Sequence, residues 1–263
     1  MGLIKDLKTK TVEELANVEN AAYPGDPSGT DANDVYFEGN VHNYLHEIGL
    51  HINPDNVFNV SPGYADLQDP DFETIVDAHA ASTGSSSSNR RLIKVEPGIY
   101  SGALNMNMSG GYIILKGAQR NACQITGNIA VSNGVYVFEG FHIEGNITVS
   151  GGVAVFVNCT QKTGNTALSA GATLLLARIP YWGYITAVND SNTLYLENVK
   201  DMAKDGSSRS IYLDSTVTAG DYSIDDVRCQ GTFTNSGSIA IGEGAGEILV
   251  SGLKENRRAR PQY

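Results

Sequence analysis

Two adjacent aspartates, Asp225 and Asp226, are the residues of this sequence that first suggest a catalytic site. Paired carboxylates can cleave a glycosidic bond, one acting as the acid and the other as the base or nucleophile. In an alternating strand one of the two would point outward and the other toward a turn or the edge of the core. A lyase would instead need a basic side chain, such as Arg178 or Arg209, beside carboxylates that hold calcium. No acid recurs at a regular interval beside either arginine, so we expect solvated surface carboxylates and no lyase site.

The segment Tyr181-Trp182-Gly183-Tyr184 is the densest aromatic cluster in the sequence. Aromatic faces stack on sugar rings, so Tyr181, Trp182 and Tyr184 are candidates for contact with a glycan. The alternative, which we favour, is a turn that packs against a neighbouring subunit or against the polar loop predicted at residues 201–209.

Four of the five histidines precede residue 80. His42 and His46 have the i,i+4 spacing that can hold a metal ion on one face of a helix, and Glu47 and His51 could add ligands. The His-Glu-x-x-His order of the metalloproteases is absent. We therefore predict no metal and no cofactor, and we interpret these side chains as a polar helix face or an interface.

The overall composition excludes several classes of protein. The chain has 263 residues and a formal net charge of -11, which argues against broad binding to nucleic acid. No apolar run of about 18 residues is present, so we predict no membrane insertion. The N-terminus lacks the apolar region of a secretory signal, which predicts synthesis in the cytoplasm without export. Cys123, Cys159 and Cys229 are widely spaced, so we expect small buried residues and neither a disulfide nor a zinc site.

A repeat of about 17 to 24 residues extends through most of the chain, in the range of a solenoid unit. Its first phase consists of short apolar runs that follow glycine or asparagine turns, and its second phase consists of Gly-Asn pairs that precede a further short run. The runs begin at Gly111, Gly134, Gly152, Gly171 and Asn192, and the Gly-Asn pairs begin at Gly127, Gly145 and Gly164.

These runs predict an all-β fold. Strands of four to six residues bury one face, and glycine and asparagine accept the positive φ of the turns at little cost. Coils of such strands, stacked about 4.8 Å apart, would satisfy the backbone hydrogen bonds. We predict a parallel solenoid of about seven coils. An antiparallel sandwich is the main alternative, because it also has short strands at regular spacing.

The entry to the repeat carries a family resemblance. An amphipathic helix is predicted over residues 71–82, with Phe72, Ile75, Val76 and Ala80 on one face. The strand-turn Ile93-x-Val-x-Pro-Gly-x-Tyr and a strand of the form Ile-x-Leu-x-Gly follow it. This order resembles the first coils of the right-handed parallel β-helix proteins of the pectin-lyase-like superfamily. The resemblance implies that the helix caps the N-terminal end of the coil stack.

The catalytic patterns of that superfamily do not recur in this chain. The Asn-Thr-Asp, Gly-His-Gly and Arg-Ile-Lys motifs of polygalacturonases are absent. A repeat brings residues one coil apart into contact, so a carboxylate site should appear as acids at that interval. Glu139, Glu197 and the pair at 225–226 do not form such a column over consecutive coils in our interpretation of the sequence. We therefore expect no enzymatic activity, although the sequence leaves this point open.

Charge divides the chain into parts. Residues 1–80 contain 15 acidic and 3 basic side chains, a net charge of -12, and the rest of the chain is close to neutral. We assign 1–70 to an acidic, helical or irregular segment for attachment or oligomerisation. We assign 71–253 to the β-helix with its capping helix, and 254–263 to a basic C-terminal arm.

An unexported β-helix with a separate attachment segment resembles the tailspikes and virion-surface proteins of bacteriophages. The resemblance implies a non-catalytic structural protein located in the virion, either tail-associated or capsid-decorating. Its expected partners are two further copies of the chain in a homotrimer, other virion proteins, and a host surface glycan. A glycan-binding or glycan-cleaving tailspike is one alternative, and a β-helical cell-surface adhesin is another.

Overall fold

A computed structural model describes residues 56–62, 71–169, 171–189 and 192–238, together with the backbone of 248–251 and 254–255. The histidine cluster at positions 42 to 51 lies outside the described residues. The same holds for most of the predicted acidic segment and for the basic arm beyond residue 255.

The described residues form an all-β parallel solenoid of about six turns, close to the seven that the repeat predicts. Its strands belong to three parallel sheets, in which each strand pairs with the equivalent strand of the next turn. The ten-strand sheet contains β1 (Val57–Val60), β2 (Arg91–Val95), β5 (Tyr112–Gly117), β8 (Val135–Glu139), β11 (Val153–Val157), β14 (Thr173–Ile179), β16 (Asn192–Met202), β18 (Gly220–Cys229), β20 (Ile248–Ser251) and β21 (Lys254–Glu255).

The other two sheets complete the turns. The four-strand sheet follows the ten-strand sheet along the chain and is confined to the first turns. The seven-strand sheet contains β4 (Leu104–Met106), β7 (Ile129–Val131), β10 (Ile147–Val149), β13 (Asn165–Leu168), β15 (Tyr184–Ala187), β17 (Arg209–Leu213) and β19 (Thr232–Asn235). The four-strand sheet contains β3 (Gly98–Ser101), β6 (Cys123–Thr126), β9 (His142–Glu144) and β12 (Thr160–Thr163).

Inward side chains stack from one turn to the next and form a single core. Leu115, Phe138, Phe156 and Leu176 occupy the same register position in successive strands of the ten-strand sheet, and all are fully buried. The Phe138 and Phe156 rings are parallel, with centroids 4.8 Å apart. That distance equals the spacing between the coils, so a residue type that suits one turn also suits the next.

The ten-strand sheet is apolar in the middle of its outward face as well. Ile114, Val137, Val155 and Leu175 lie at outward positions in register, and each is at most 3% exposed. Parallel strands that are shielded on both faces have continuous apolar runs, without alternation. This explains runs such as Val153–Val157, all of whose residues are buried.

A left-handed residue lies near the C-terminal end of the strands of the ten-strand sheet in successive turns. The positive φ values are 51° at Asn158, 54° at Arg178, 53° at Asn198 and 46° at Asp226, and Gly140 occupies the equivalent place one turn earlier. Asparagine, aspartate and glycine tolerate this conformation at low cost. Asp226 is therefore the left-handed residue inside β18, next to Asp225, which pairs in register with Glu197.

The N-terminal end of the solenoid carries the helix α1 (Ile75–Ala81). The Thr74 side chain accepts a hydrogen bond from the Asp77 amide, so the helix begins at Ile75 and not at residue 71. The predicted buried face was wrong in part, since Val76 and Ala80 are exposed. With the start shifted, the buried residues are Ile75, Ala78 and His79, at spacings of three and four.

A strand that we did not predict precedes the helix. β1 pairs with β2 in parallel, and Phe72 bridges to Val60. The ten-strand sheet therefore extends one strand beyond the predicted start of the repeat at residue 71. This seven-residue α1 is the only helix among the described residues, and it is too short to cross a bilayer.

Candidate ligand-binding face

The aromatic cluster is divided between the core and the outside of the solenoid. Trp182 is fully buried, whereas Tyr181 and Tyr184 are half-buried. The Trp182 ring packs on Phe156, with centroids 5.0 Å apart. Trp182 is therefore withdrawn from the contact surface that the sequence predicted, because side chains alternate in direction along an extended chain. Its two tyrosine neighbours point outward, on either side of Gly183.

Trp182 belongs to a buried polar network. Its Nε1–H donates to Thr166 Oγ1 (3.0 Å), and the Thr166 hydroxyl donates to Gln161 Oε1 (3.2 Å). The Gln161 amide then donates to the carbonyls of Gly145 (2.9 Å) and Asn165 (3.2 Å). Three fully buried polar side chains thus satisfy one another and tie neighbouring turns together.

The Gly-Asn pairs form a corner before the seven-strand sheet. Asn128 Oδ1 accepts from the Asn146 amide (2.9 Å), and Asn146 Oδ1 accepts from the Asn165 amide (3.1 Å). A Cβ added at Gly164 would lie 2.4 Å from the carbonyl oxygen of Gly145 in the turn below. The asparagine positions the next turn, and the glycine permits the backbones to approach. The second phase of the repeat is the sequence signature of this corner.

The four-strand sheet presents an outward column of chemically varied side chains. Ile99, Gln124, His142, Thr160 and Tyr181 are in register along it. With coils about 4.8 Å apart, the column spans about 19 Å. Ile99 is 65% exposed and the others are partly exposed. We name this column the ladder face.

A charged cluster lies at the centre of the ladder face. His142 Nδ1 is 2.8 Å from Thr160 Oγ1, and His142 Nε2 is 3.4 Å from Glu144 Oε1. Lys162 Nζ is 3.5 Å from the same Glu144 oxygen. Partial burial alone would raise the pKa of Glu144. The hydrogen bond to His142 and the charge of Lys162 outweigh this effect, so the pKa of Glu144 lies below its ordinary value.

The acidic residues suggested by the sequence are arranged differently from our expectation. Glu197 and Asp225 are register partners in consecutive turns, and both are exposed on the outward side of the ten-strand sheet. The expectation that no such acids occupy consecutive coils was therefore wrong for this pair. Glu139 lies in the same column but is separated from them by Val157 and Ala177. The sequence alone did not reveal this pairing, because a long polar insertion between β16 and β18 places the two acids 28 residues apart.

The two candidate basic residues differ in their relation to that acidic pair. Arg178 is a left-handed residue directly after Ala177, the register partner of Glu197. Arg209 forms an ion pair with Asp205 at 2.7 Å, and its guanidinium lies 3.8 Å from the centroid of the Tyr212 ring. Burial would raise the pKa of Asp205, but the hydrogen bonds from Arg209 and Ser207 lower it below its ordinary value. This cluster holds the protruding loop at residues 203–208 against β17.

The three cysteines are buried, as predicted. Burial raises the pKa of the Cys159 thiol to about 12, so this side chain is a neutral thiol in the core. No group of three or more His, Cys, Asp or Glu side chains within the described residues could hold a metal ion.

Comparisons of the chain with models of protein families, with curated proteins and with solved structures find no match.

Proposed function

We propose that this chain is a non-catalytic structural protein of a bacteriophage particle, tail-associated or capsid-decorating, that docks by its acidic N-terminal segment and projects a homotrimeric β-solenoid. The observation that carries the proposal is the outward face of the seven-strand sheet. No residue of its register column is itself charged, and the Arg209 guanidinium lies against the Tyr212 ring of this column. The column consists of Asn105, Ala130, Thr148, Ala167, Thr186, Tyr212 and Thr234.

This uncharged column fits an interface between copies of the chain. The cores of protein interfaces are depleted in charged residues, and the column extends over about 29 Å of the solenoid at 4.8 Å per turn. Short side chains on a regular sheet permit close approach of an identical surface. Three rods that share such faces would bury flanks that one rod leaves in water.

The virion location rests on the resemblance of fold and on the charge of the N-terminal part, by analogy. Residues 1–80 have a net charge of -12, which suits a basic or polar docking partner. Mass spectrometry of purified particles tests this location. We expect peptides of the chain at a constant ratio to the capsid or tail proteins, and absence from the particles would remove the proposal.

The trimer can be tested separately with Thr148→Arg. Thr148 is exposed at the centre of the uncharged column, so a charge there would have to be buried in an interface and would disrupt it. We expect analytical ultracentrifugation to give three times the 28.0 kDa chain mass for the wild type and one chain mass for the variant. Thr126→Arg, on the four-strand sheet, is the matched control and should remain trimeric. A monomeric wild type would contradict the assembly.

A glycan-binding role is the second candidate, and the ladder face favours it. The amide of Gln124, the imidazole of His142 and the hydroxyl of Thr160 lie in one column with the Tyr181 ring, which is the mixture that sugar hydroxyls and sugar faces require. For a glycan identified on an array, we expect Tyr181→Ala to weaken binding by roughly 2- to 10-fold, from the worth of one aromatic contact. Tyr181→Phe keeps the ring and should bind nearly as well as the wild type. Equal affinity of all three proteins would exclude the ladder face as the site.

A glycan-cleaving activity has one observation in its favour, the register pair of Glu197 and Asp225. The proposed non-catalytic role predicts that the wild-type protein leaves the length of a bound polysaccharide unchanged. Shortening of the polysaccharide by the wild type, and not by Glu197→Gln or Asp225→Asn, would replace that role with the enzymatic one.

A further inference from the structure

The capping helix holds a buried imidazole in neutral surroundings. His79 is 8% exposed, and its Nε2 lies 3.1 Å from Tyr136 Oη. The same hydroxyl accepts a hydrogen bond from the Met108 amide (2.8 Å). The Tyr136 hydroxyl can therefore donate its proton to a neutral His79 and accept from Met108, which satisfies all three groups.

A protonated His79 would not be satisfied in this position. Its Nε2 would become a donor, and the Tyr136 hydroxyl would lose the acceptor for its own proton. The added charge would also be buried without a counter-ion, which costs free energy.

The strands that pack on α1 contain no acid that could compensate that charge. β1 and β4 contain no ionisable side chain, and those of β2 are the basic Arg91 and Lys94. β8, which supplies Tyr136, contains Glu139, whose carboxylate pairs with Lys116 at 3.3 Å on the outward side of the sheet. The helix's own acid, Asp77, is exposed, and its carboxylate accepts from the Thr74 hydroxyl at the opposite end of the helix. Within the described residues, His79 makes no ion pair.

The cap depends on few contacts. α1 has seven residues, and it packs on β1, β2 and β4 through Ile75, Ala78 and His79. A helix this short has little stability of its own, so its docking relies on these three side chains. One of the three is the titratable group.

We propose that His79 is a pH-sensitive latch, and that protonation of its imidazole releases α1 from the end of the solenoid while the remaining turns stay folded. Release would uncover apolar residues of the first turn, such as Val60 and Ile93, which are fully buried when the cap is docked. The inference concerns the solenoid alone and does not depend on the proposed virion role.

The direction of the pH response follows from burial. Desolvation lowers the pKa of His79 below its ordinary value of 6.5. The docked state therefore binds fewer protons than the undocked state between the two pKa values, and docking is favoured at neutral pH and above. It weakens as the pH falls below about 6.5 and stops changing below the pKa of the docked state.

Hydrogen–deuterium exchange of the full-length protein at pH 7.5 and pH 5.0 tests the latch. With rates corrected for the intrinsic effect of pH, we expect the protection factors of the α1 amides to fall on the order of tenfold at pH 5.0. The amides of β8 and β11 should keep theirs. Equal protection of α1 at both pH values in the wild type would overturn the proposal, whatever the behaviour of any variant.

His79→Gln separates this histidine from the others. Glutamine can bond to the Tyr136 hydroxyl and carries no charge at either pH, so the variant should retain α1 protection at pH 5.0. His142→Gln is the matched control, because it removes a half-buried histidine on the outward side of the four-strand sheet, and it should respond as the wild type does. A pH response that survives in His79→Gln would assign the effect to another group and overturn the latch.

Discussion

Replacement of Trp182 by alanine is expected to lower the free energy of unfolding by about 3–5 kcal/mol, the range for truncating a large buried aromatic residue. The change removes the packing on Phe156 and leaves the Thr166 hydroxyl without the donor that Trp182 supplies. Urea denaturation followed by far-UV circular dichroism measures the effect. This probe is required because Trp182 is the only tryptophan of the chain.

Tyr181→Ala is the matched control for this prediction. Tyr181 is the adjacent residue and is also aromatic, but it points outward and is half-buried, so its truncation should cost about 1 kcal/mol or less. Equal losses at the two positions would mean that the inside and the outside of this segment are assigned incorrectly.

Replacement of Gly164 by alanine is expected to destabilise the solenoid by about 2–5 kcal/mol. The added methyl group would lie 2.4 Å from the backbone oxygen of Gly145, and neither backbone can move without separating the two turns. The positive φ of 99° adds backbone strain. Thermal and urea denaturation of the variant measure the sum of the two effects.

Gly102→Ala separates the contact between turns from the strain. Gly102 has a similar φ of 107°, and nothing lies within 4 Å of a Cβ added there. Its replacement should therefore cost only the conformational part, about 1–2 kcal/mol. If Gly102→Ala were as destabilising as Gly164→Ala, close stacking of the corners would not be the reason for the repeated glycine.

The fold could be predicted because its determinants are local and recur. Each Gly-Asn pair specifies one corner. The asparagine side chain accepts a hydrogen bond from a backbone amide of the next turn, and the glycine leaves room for the carbonyl oxygen of the preceding turn. The runs that follow each corner are short and apolar, which excludes crossover helices between the strands. Repetition at nearly constant spacing then identified the stacking partners without any knowledge of long-range contacts.

Features that depend on the exact register could not be predicted. Glu197 and Asp225 become neighbours only because the insertion between them loops out of the turn. Trp182 lies in the core and Tyr181 outside it because side chains alternate along this extended segment. Tyr184 points outward again because the chain passes from the four-strand side to the seven-strand sheet at Gly183. The amphipathic pattern predicted a helix at α1 but assigned its buried face incorrectly in part. The reason is that the cap at Thr74 determines where the helix begins. β1 was not predicted because its sequence lies outside the repeat.

The candidate site follows the same division. Of the aromatic cluster, Tyr181 and Tyr184 lie at the surface and Trp182 lies in the core. The ladder face was missed because Gln124, His142 and Thr160 belong to three different turns and share no motif. Their relation is purely one of register, and only the pairing of β6, β9 and β12 brings them into one column.

Cryo-electron microscopy of purified particles would test the proposed virion role most directly. We expect density for three parallel solenoids, joined along their seven-strand sheets, on the tail or the capsid of a bacteriophage. Particles that lack such density, from a preparation in which the chain is found only in the soluble fraction of the host, would contradict it.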